Sequence, residues 1–150
     1  DQSEQFMNAA AYSLDSQVGY LMRKANQRHL AIFSARIPEL TPTQFAALAR
    51  LHERGPLSQN DLGRQIAMDA ATTKVMVDRL AQNGLIERSA DAADRRRRVA
   101  TLTNKGRAAY AKSVSAAHAI TAETLSPLTA EEAVHFTKLL AKLADPESNP

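Results

Sequence analysis

The chain has 150 residues, which suits one compact domain or one domain with helical extensions and leaves too little for two full domains. Its composition, 44% hydrophobic and 23% charged, is that of a soluble protein rich in Ala and Leu helices; no apolar run approaches the ~20 residues that span a bilayer, and the lack of cysteine excludes disulfides and thiol redox sensing. The net charge of +3 is unevenly spread: Arg88 to Arg107 holds seven basic residues against Asp91 and Asp94, a local +5 that leaves −2 for the rest, and a single basic patch of this kind suits a polyanion.

Helical periodicity dominates the chain. Between residues 10 and 36, Leu14, Val18, Leu21, Met22, Ala25, His29, Ile32 and Phe33 recur at three- and four-residue steps and predict a long amphipathic helix ending near Ile37 and Pro38. Thr41, Pro42, Thr43 and Gln44 supply a capping hydroxyl, a proline for the first helical position and a glutamine for the third, so a second helix is expected to Gly55. Ser58 with Asp61 repeats the capping arrangement and Leu57 with Leu62 has staple spacing, giving a short third helix to about Ile66. Asp69 caps a fourth helix, Ala70 to Asn83, which Gly84 closes. The three-residue join, Ala67 to Asp69, is the mark of a helix-turn-helix. Leu85–Arg88 and Val99–Leu102 then read as two strands around a ten-residue connection, Ser89 to Arg98, with an arginine-loaded tip. A long helix from Thr103 to about Leu125 follows, Pro127 breaks it, and Thr129 to Glu132 opens a last helix through Leu143.

This order predicts a mainly α fold: a winged helix-turn-helix with about six helices and a two-stranded β-wing. Leu125, Leu128, Val134, Phe136, Leu139, Leu140 and Leu143, together with the apolar face of the first helix, carry more apolar surface than a small core covers. A second copy of the chain is the simplest cover, so a homodimer joined through N- and C-terminal helices is expected. Residues 1–150 are expected to form a single domain, with a DNA-binding lobe at about 41–103 and dimerisation helices at 9–37 and 104–145.

The stretch from Asp61 to Gly106 resembles the MarR family of bacterial regulators. It carries V-D-R-L before a glycine, G-L-I-E-R entering the wing, D-R-R at the tip and L-T-N-K-G-R opening the next helix, all in the family's order over about a third of the chain. The whole chain further resembles regulators of nicotinate and related aromatic-acid breakdown, although no single motif carries that likeness. The resemblance implies a transcriptional repressor, bound to double-stranded operator DNA as a homodimer and released by a small aromatic or phenolic acid.

The reading surface follows from the residues themselves. At 100° per residue, Thr73, Met76, Val77 and Leu80 of the fourth helix face inward, leaving Ala71, Thr72, Lys74, Val75, Asp78, Arg79 and Gln82 outward. Ala71, Thr72, Lys74, Val75 and Arg79 are the candidate DNA contacts, with small residues at the end that approaches base edges and cations for phosphates. Val75 stands where the family often has a polar or basic residue; it is either an inert exposed valine or a contact for a thymine methyl. In the wing, Arg95, Arg96, Arg97 and Arg98 are candidate contacts. The resemblance to the family's D-x-R motif makes Arg96 the arginine that enters the minor groove and Asp94 the residue that steadies it. For the effector, His29 and Phe33 on the first helix and Thr43 at the start of the second are the candidates, beside their simpler roles as core and capping residues.

Other classes fit less well. No residue set forms a catalytic triad, cofactor loop or metal motif, so no enzymatic activity, cofactor or metal is expected. A winged helix that serves only as a protein-protein interaction or dimerisation module is the alternative, and it has no use for four consecutive arginines at the hairpin tip. The polar opening, Asp1 to Asn8, is unlike a signal peptide; a cytoplasmic protein without membrane contact is expected.

Overall fold

Residues 12–148 are described in the computed structural model. Among them are six α-helices and one antiparallel pair of strands, in the order α1 (Val18–Arg36), α2 (Pro42–Arg54), α3 (Gln59–Gln65), α4 (Ala70–Gln82), β1 (Ile86–Ala90), β2 (Arg98–Leu102), α5 (Asn104–Thr124) and α6 (Ala130–Ala144). Single 3-10 turns stand at Leu14–Ser16 and Pro146–Ser148. This is the winged helix-turn-helix order expected from the sequence. No helix among the described residues is long and apolar enough to cross a membrane. The chain divides into two units, one running to Ile32 and resuming at Ala119, the other Phe33–His118.

In the unit Phe33–His118, side chains close to each helix start satisfy backbone groups that the helix leaves open. Thr41 Oγ1 accepts from the Gln44 N–H at 3.1 Å while Gln44 Oε1 accepts from the Thr41 N–H at 3.0 Å, a reciprocal capping box with Pro42 behind it. Ser58 Oγ accepts from Asp61 N–H at 3.2 Å, and Asp69 Oδ1 from Thr72 N–H at 2.7 Å. Leu48, Leu51, Leu62, Val77, Leu80 and Ile86 are buried in the core of this unit, each such side chain contributing roughly 1.5–3 kcal/mol. Phe33, also buried, meets Phe45 edge-on with ring centroids 6.3 Å apart, and Phe45 stacks on Tyr110 at 5.9 Å.

Both helices of the helix-turn-helix end in the same reversal. At α4, Gly84 (φ +74°) lets its own N–H reach Ala81 O and the Leu85 N–H reach Leu80 O, each at 3.0 Å. At α3 the equivalent left-handed position is Ala67 (φ +57°), whose N–H donates to Arg64 O while Met68 N–H donates to Gly63 O at 2.9 Å. Gly63 permits the close crossing of α3 and α4: a Cβ there would lie 2.7 Å from Oγ1 of the buried Thr73.

The wing departs from expectation at its ends. β1 pairs with β2 from Ile86↔Leu102 to Ala90↔Arg98, so the connection is residues 91–97 rather than the expected ten. Ser89, Ala90 and Arg98 carry no apolar pattern, but their backbones continue the ladder, which requires no particular side chain. A third strand-like contact was not expected: Leu57 and Ala100 exchange two backbone hydrogen bonds, 3.2 and 2.8 Å, and anchor β2 to the segment before α3. On the other side, Thr103 Oγ1 accepts from Gly106 N–H and donates to Gly84 O, closing the start of α5 against the end of α4.

In the terminal unit, α1 begins at Val18 rather than at residue 10. Gln17 is extended and its Oε1 accepts from Tyr20 N–H at 2.8 Å, capping the helix, while the Ser13 and Ser16 polar groups close a 3-10 turn before it. Residues 9–11 of the expected helix and the tail residues 149–150 lie outside the described residues. Arg28 donates to Thr124 O at 2.7 Å and to Glu123 O at 2.9 Å, so a cation satisfies the carbonyls that end α5. Within this unit no residue of α6 is buried. Phe136, Leu139, Leu140 and Leu143 are exposed there, as are Leu14, Val18, Leu21 and Met22.

Candidate nucleic-acid interface

The capping of α4 by Asp69 and its packing through Thr73, Met76, Val77 and Leu80, all buried, fix which side of the helix faces out. Ala71, Thr72, Lys74, Val75, Arg79 and Gln82 are exposed, and Val75 is 56% exposed. This exposure, at mid-helix on the outward face, places Val75 outside the core. Beside it lies a shallow cavity of about 410 Å³ whose lining includes Thr43, Met68, Ala71, Thr72, Val75, Met76 and Arg79. Thr43 is thus on the same face as α4, with its Oγ1 3.2 Å from Thr41 Oγ1.

The basic patch of the sequence separates into two populations. Arg88 pairs with Asp78, and Arg97 with Asp61 and Asp91. Lys105 donates to Asn83 O at 2.7 Å at the C-terminus of α4, and Arg107 to Leu102 O at 3.0 Å. These four cations hold the lobe together. Arg95, Arg96 and Arg98, with Arg79 on α4, make no side-chain hydrogen bond or ion pair among the described residues, and all four are exposed. Their charge is open to a partner.

Asp94 steadies the tip through the backbone: its Oδ1 accepts from Arg96 N–H at 3.1 Å, Asp91 Oδ1 accepts from Ala93 N–H at 3.0 Å, and Arg97 N–H reaches Asp94 O at 3.0 Å. Arg96 is therefore projected from a turn with its guanidinium unengaged. Arg97 differs from its three neighbours in folding back onto α3. Lys74 is also engaged, with Nζ 2.9 Å from Asp78 Oδ2.

Two acidic side chains clamp these cations, and the clamp at Asp61 was not foreseen. The Asp61 carboxyl sits below its ordinary value of 3.8 because of the Ser58 hydroxyl and then the Arg64 and Arg97 guanidiniums. The Asp78 carboxyl is lowered in the same direction by hydrogen bonds from Lys74 and Arg88. Lys74 and Asp78 are four apart on one helix and their pairing is legible in the sequence. Asp61 and Arg97 are 36 residues apart, and no local pattern announces them.

His29 belongs to the terminal unit, Phe33 and Thr43 to the other. His29 is half-buried with Nδ1 2.9 Å from Thr124 Oγ1, and its Nε2 has no hydrogen-bond partner among the described residues.

Comparison with known proteins agrees with this geometry. The family model of the MarR family matches residues 40–97, from the start of α2 to the wing tip. The HTH-type transcriptional repressor NicR of Pseudomonas putida is 39% identical over 140 residues, covering 92% of this chain and 89% of that protein. A probable transcriptional regulator from Pseudomonas aeruginosa superposes with a TM-score of 0.84 at 49% identity, over 87% of this chain and 99% of that one. BpsR of Bordetella bronchiseptica, whose DNA binding is regulated by 6-hydroxynicotinic acid, superposes with a TM-score of 0.84 at 40% identity, over 89% and 97% of the two chains. The outward face of α4, the open arginines of the wing and these relatives together make the chain a member of the MarR family of DNA-binding transcriptional regulators.

Proposed function

We propose that this chain is a homodimeric repressor that reads a pseudo-palindromic operator and leaves it on binding a small aromatic acid. The observation that carries the DNA reading is the partition of the cations: Arg79, Arg95, Arg96 and Arg98 stand open on the lobe that presents α4, while Arg88, Arg97, Lys105 and Arg107 are each held by a bond within it. In this reading Ala71, Thr72 and Val75 meet base edges in the major groove, Lys74 and Arg79 take phosphates, and Arg96 enters a flanking minor groove with Asp94 fixing its turn. Arg95 and Arg98 add phosphate contacts, and Arg97 keeps the wing in place. Residues 41–103 form the reading lobe.

Dimerisation is supported by the apolar residues left uncovered on α1 and α6, which give a second copy something to bury. The helices at 9–37 and 104–145 supply that interface in this reading. The effector class is supported by the regulation of BpsR by 6-hydroxynicotinic acid. His29, with one ring nitrogen held by Thr124 and the other without a hydrogen-bond partner among the described residues, suits a carboxylate or a ring hydroxyl of such an acid.

Selection of duplexes from a random pool, followed by a binding titration with and without 6-hydroxynicotinic acid, tests all three parts. The expected result is a palindrome with half-site centres about one helical turn (~10 bp) apart, bound two chains per duplex and released by the acid. A winged-helix adaptor would select no duplex. Equal release from the parent and His29→Ala would remove His29 from the effector site while leaving the DNA reading intact.

A further inference from the structure

Asp78 is committed to two structural elements at once. Its Oδ2 accepts from Lys74 Nζ at 2.9 Å, one turn back on α4, and its Oδ1 accepts from the Arg88 guanidinium on β1. One carboxylate thus ties the recognition helix to the strand that leads into the wing. It is half-buried between them, and its proton affinity is lowered by both cations.

Neither charge nor stability accounts for this residue. A carboxylate on a face that meets a polyanion lowers the charge of the trio from two cations to a net +1, which weakens attraction to any duplex. Ion pairs as exposed as these also add little to the fold. The remaining role is geometric. An unpaired Lys74 is a point charge on a flexible four-carbon stem, and pairing fixes where that charge stands. The ammonium has three donors and the guanidinium five, and each spends one on Asp78, so both keep N–H groups to offer. The tie also sets the distance between a helix suited to the major groove and a hairpin suited to the minor groove.

We propose that Asp78 is a positioning residue for operator selection: it holds Lys74 and Arg88 as fixed phosphate donors and keeps recognition helix and wing in one register, strengthening discrimination at the cost of general affinity. The inference rests on the reading that α4 and the wing face DNA. Random DNA, which offers no preferred register, gains nothing from the arrangement; a matched operator does.

The test is Asp78→Asn, which keeps the side-chain shape, measured on a selected operator and on random duplex across several salt concentrations. Random-duplex affinity is expected to rise about threefold, with a salt slope steeper by about one, while the operator-to-random ratio falls about tenfold. In a Lys74→Gln, Arg88→Gln background the same substitution should leave the ratio unchanged, because the groups it positions are gone. A rise by the same factor on both duplexes would reduce Asp78 to a repulsive charge, and a loss of ratio that persists in the double background would assign it a role without these partners. Should Asp78→Asn not fold, Arg88→Gln alone cuts the cross-element tie, and an unchanged ratio there overturns the proposal. Absence of any duplex binding by the parent protein would instead overturn the reading beneath it.

Discussion

Arg97 turns away from the tip of the wing and pairs with Asp61 in the first turn of α3, so one of four consecutive arginines serves the protein rather than a ligand. Its neighbours are not so placed, which predicts different consequences for adjacent substitutions. Arg96→Ala should lower operator affinity and relax preference for A·T-rich flanks, since groove width is read there through charge. Arg98→Ala should weaken operator and random duplexes alike and reduce the salt slope by about one. Arg97→Gln should alter the salt slope by much less than one and appear instead as faster amide exchange in residues 91–97. Titration of the three variants on operator, flank-substituted and random duplexes distinguishes them, and a full-sized slope change for Arg97→Gln would mean that the Asp61 pair opens on DNA.

Two glycines stand where a helix of the lobe is crossed closely, Gly63 by the Thr73 side chain and Gly106 by the Leu85 backbone. Gly63→Ala places a methyl 2.7 Å from Thr73 Oγ1, and the buried threonine has little room to yield, so a loss of about 1–3 kcal/mol is expected. Combining it with Thr73→Ala should recover part of the loss. At Gly106 a Cβ would overlap the backbone carbonyl of Leu85, which no rotamer relieves; Gly106→Ala should cost about 3 kcal/mol or more and leave little folded protein. Urea midpoints of the three variants check the order.

Ala67 holds a left-handed backbone that α4 assigns to a glycine in the matching position, Gly84. An L-residue with a Cβ is strained by roughly 1–2 kcal/mol there, and glycine returns part of that gain as unfolded-state entropy. Ala67→Gly should therefore stabilise by about 0.5–1 kcal/mol, and Gly84→Ala should destabilise by a similar amount. An unchanged m-value with a higher midpoint would confirm that the effect is on the turn. A lower midpoint for Ala67→Gly would show that the Ala67 methyl makes a contact worth more than the strain.

Three carboxyls lie below their ordinary 3.8 in the folded chain: Asp61 through Ser58 and the Arg64 and Arg97 guanidiniums, Asp69 through the Thr72 backbone N–H, and Asp78 through Lys74 and Arg88. Because the unfolded chain binds their protons first, folding stability rises with pH across this range. The stability they add is complete above the ordinary carboxylate value and is lost as pH falls below 3.8 through the lower folded values. Thermal midpoints of the parent should fall as pH drops below the ordinary carboxylate value, and the Asp61→Asn, Asp69→Asn, Asp78→Asn triple variant should fall less. Equal slopes would assign acid sensitivity to other carboxyls.

What the sequence by itself determined are the features written into neighbouring residues. Thr41 with Gln44, Asp69 with Thr72 and Thr129 with Glu132 place helix starts through bonds that span three positions, and the inward set Thr73, Met76, Val77 and Leu80 follows from a 3.6-residue period. The outward face of α4 and the arginine-rich tip were legible for the same reason. The tertiary structure alone decided which cations are open. Arg97 and Asp61 are 36 residues apart, Arg28 and Thr124 are 96 apart, and Leu57 meets Ala100 across the whole helix-turn-helix. Such pairs form because folding brings distant segments within hydrogen-bond distance, and a charge in a run of like charges carries no mark of which partner will reach it. The strand ends and the start of α1 escaped for a related reason: a backbone ladder extends through residues of any polarity, and a single Gln17 side chain ends a helix whose apolar spacing continues past it.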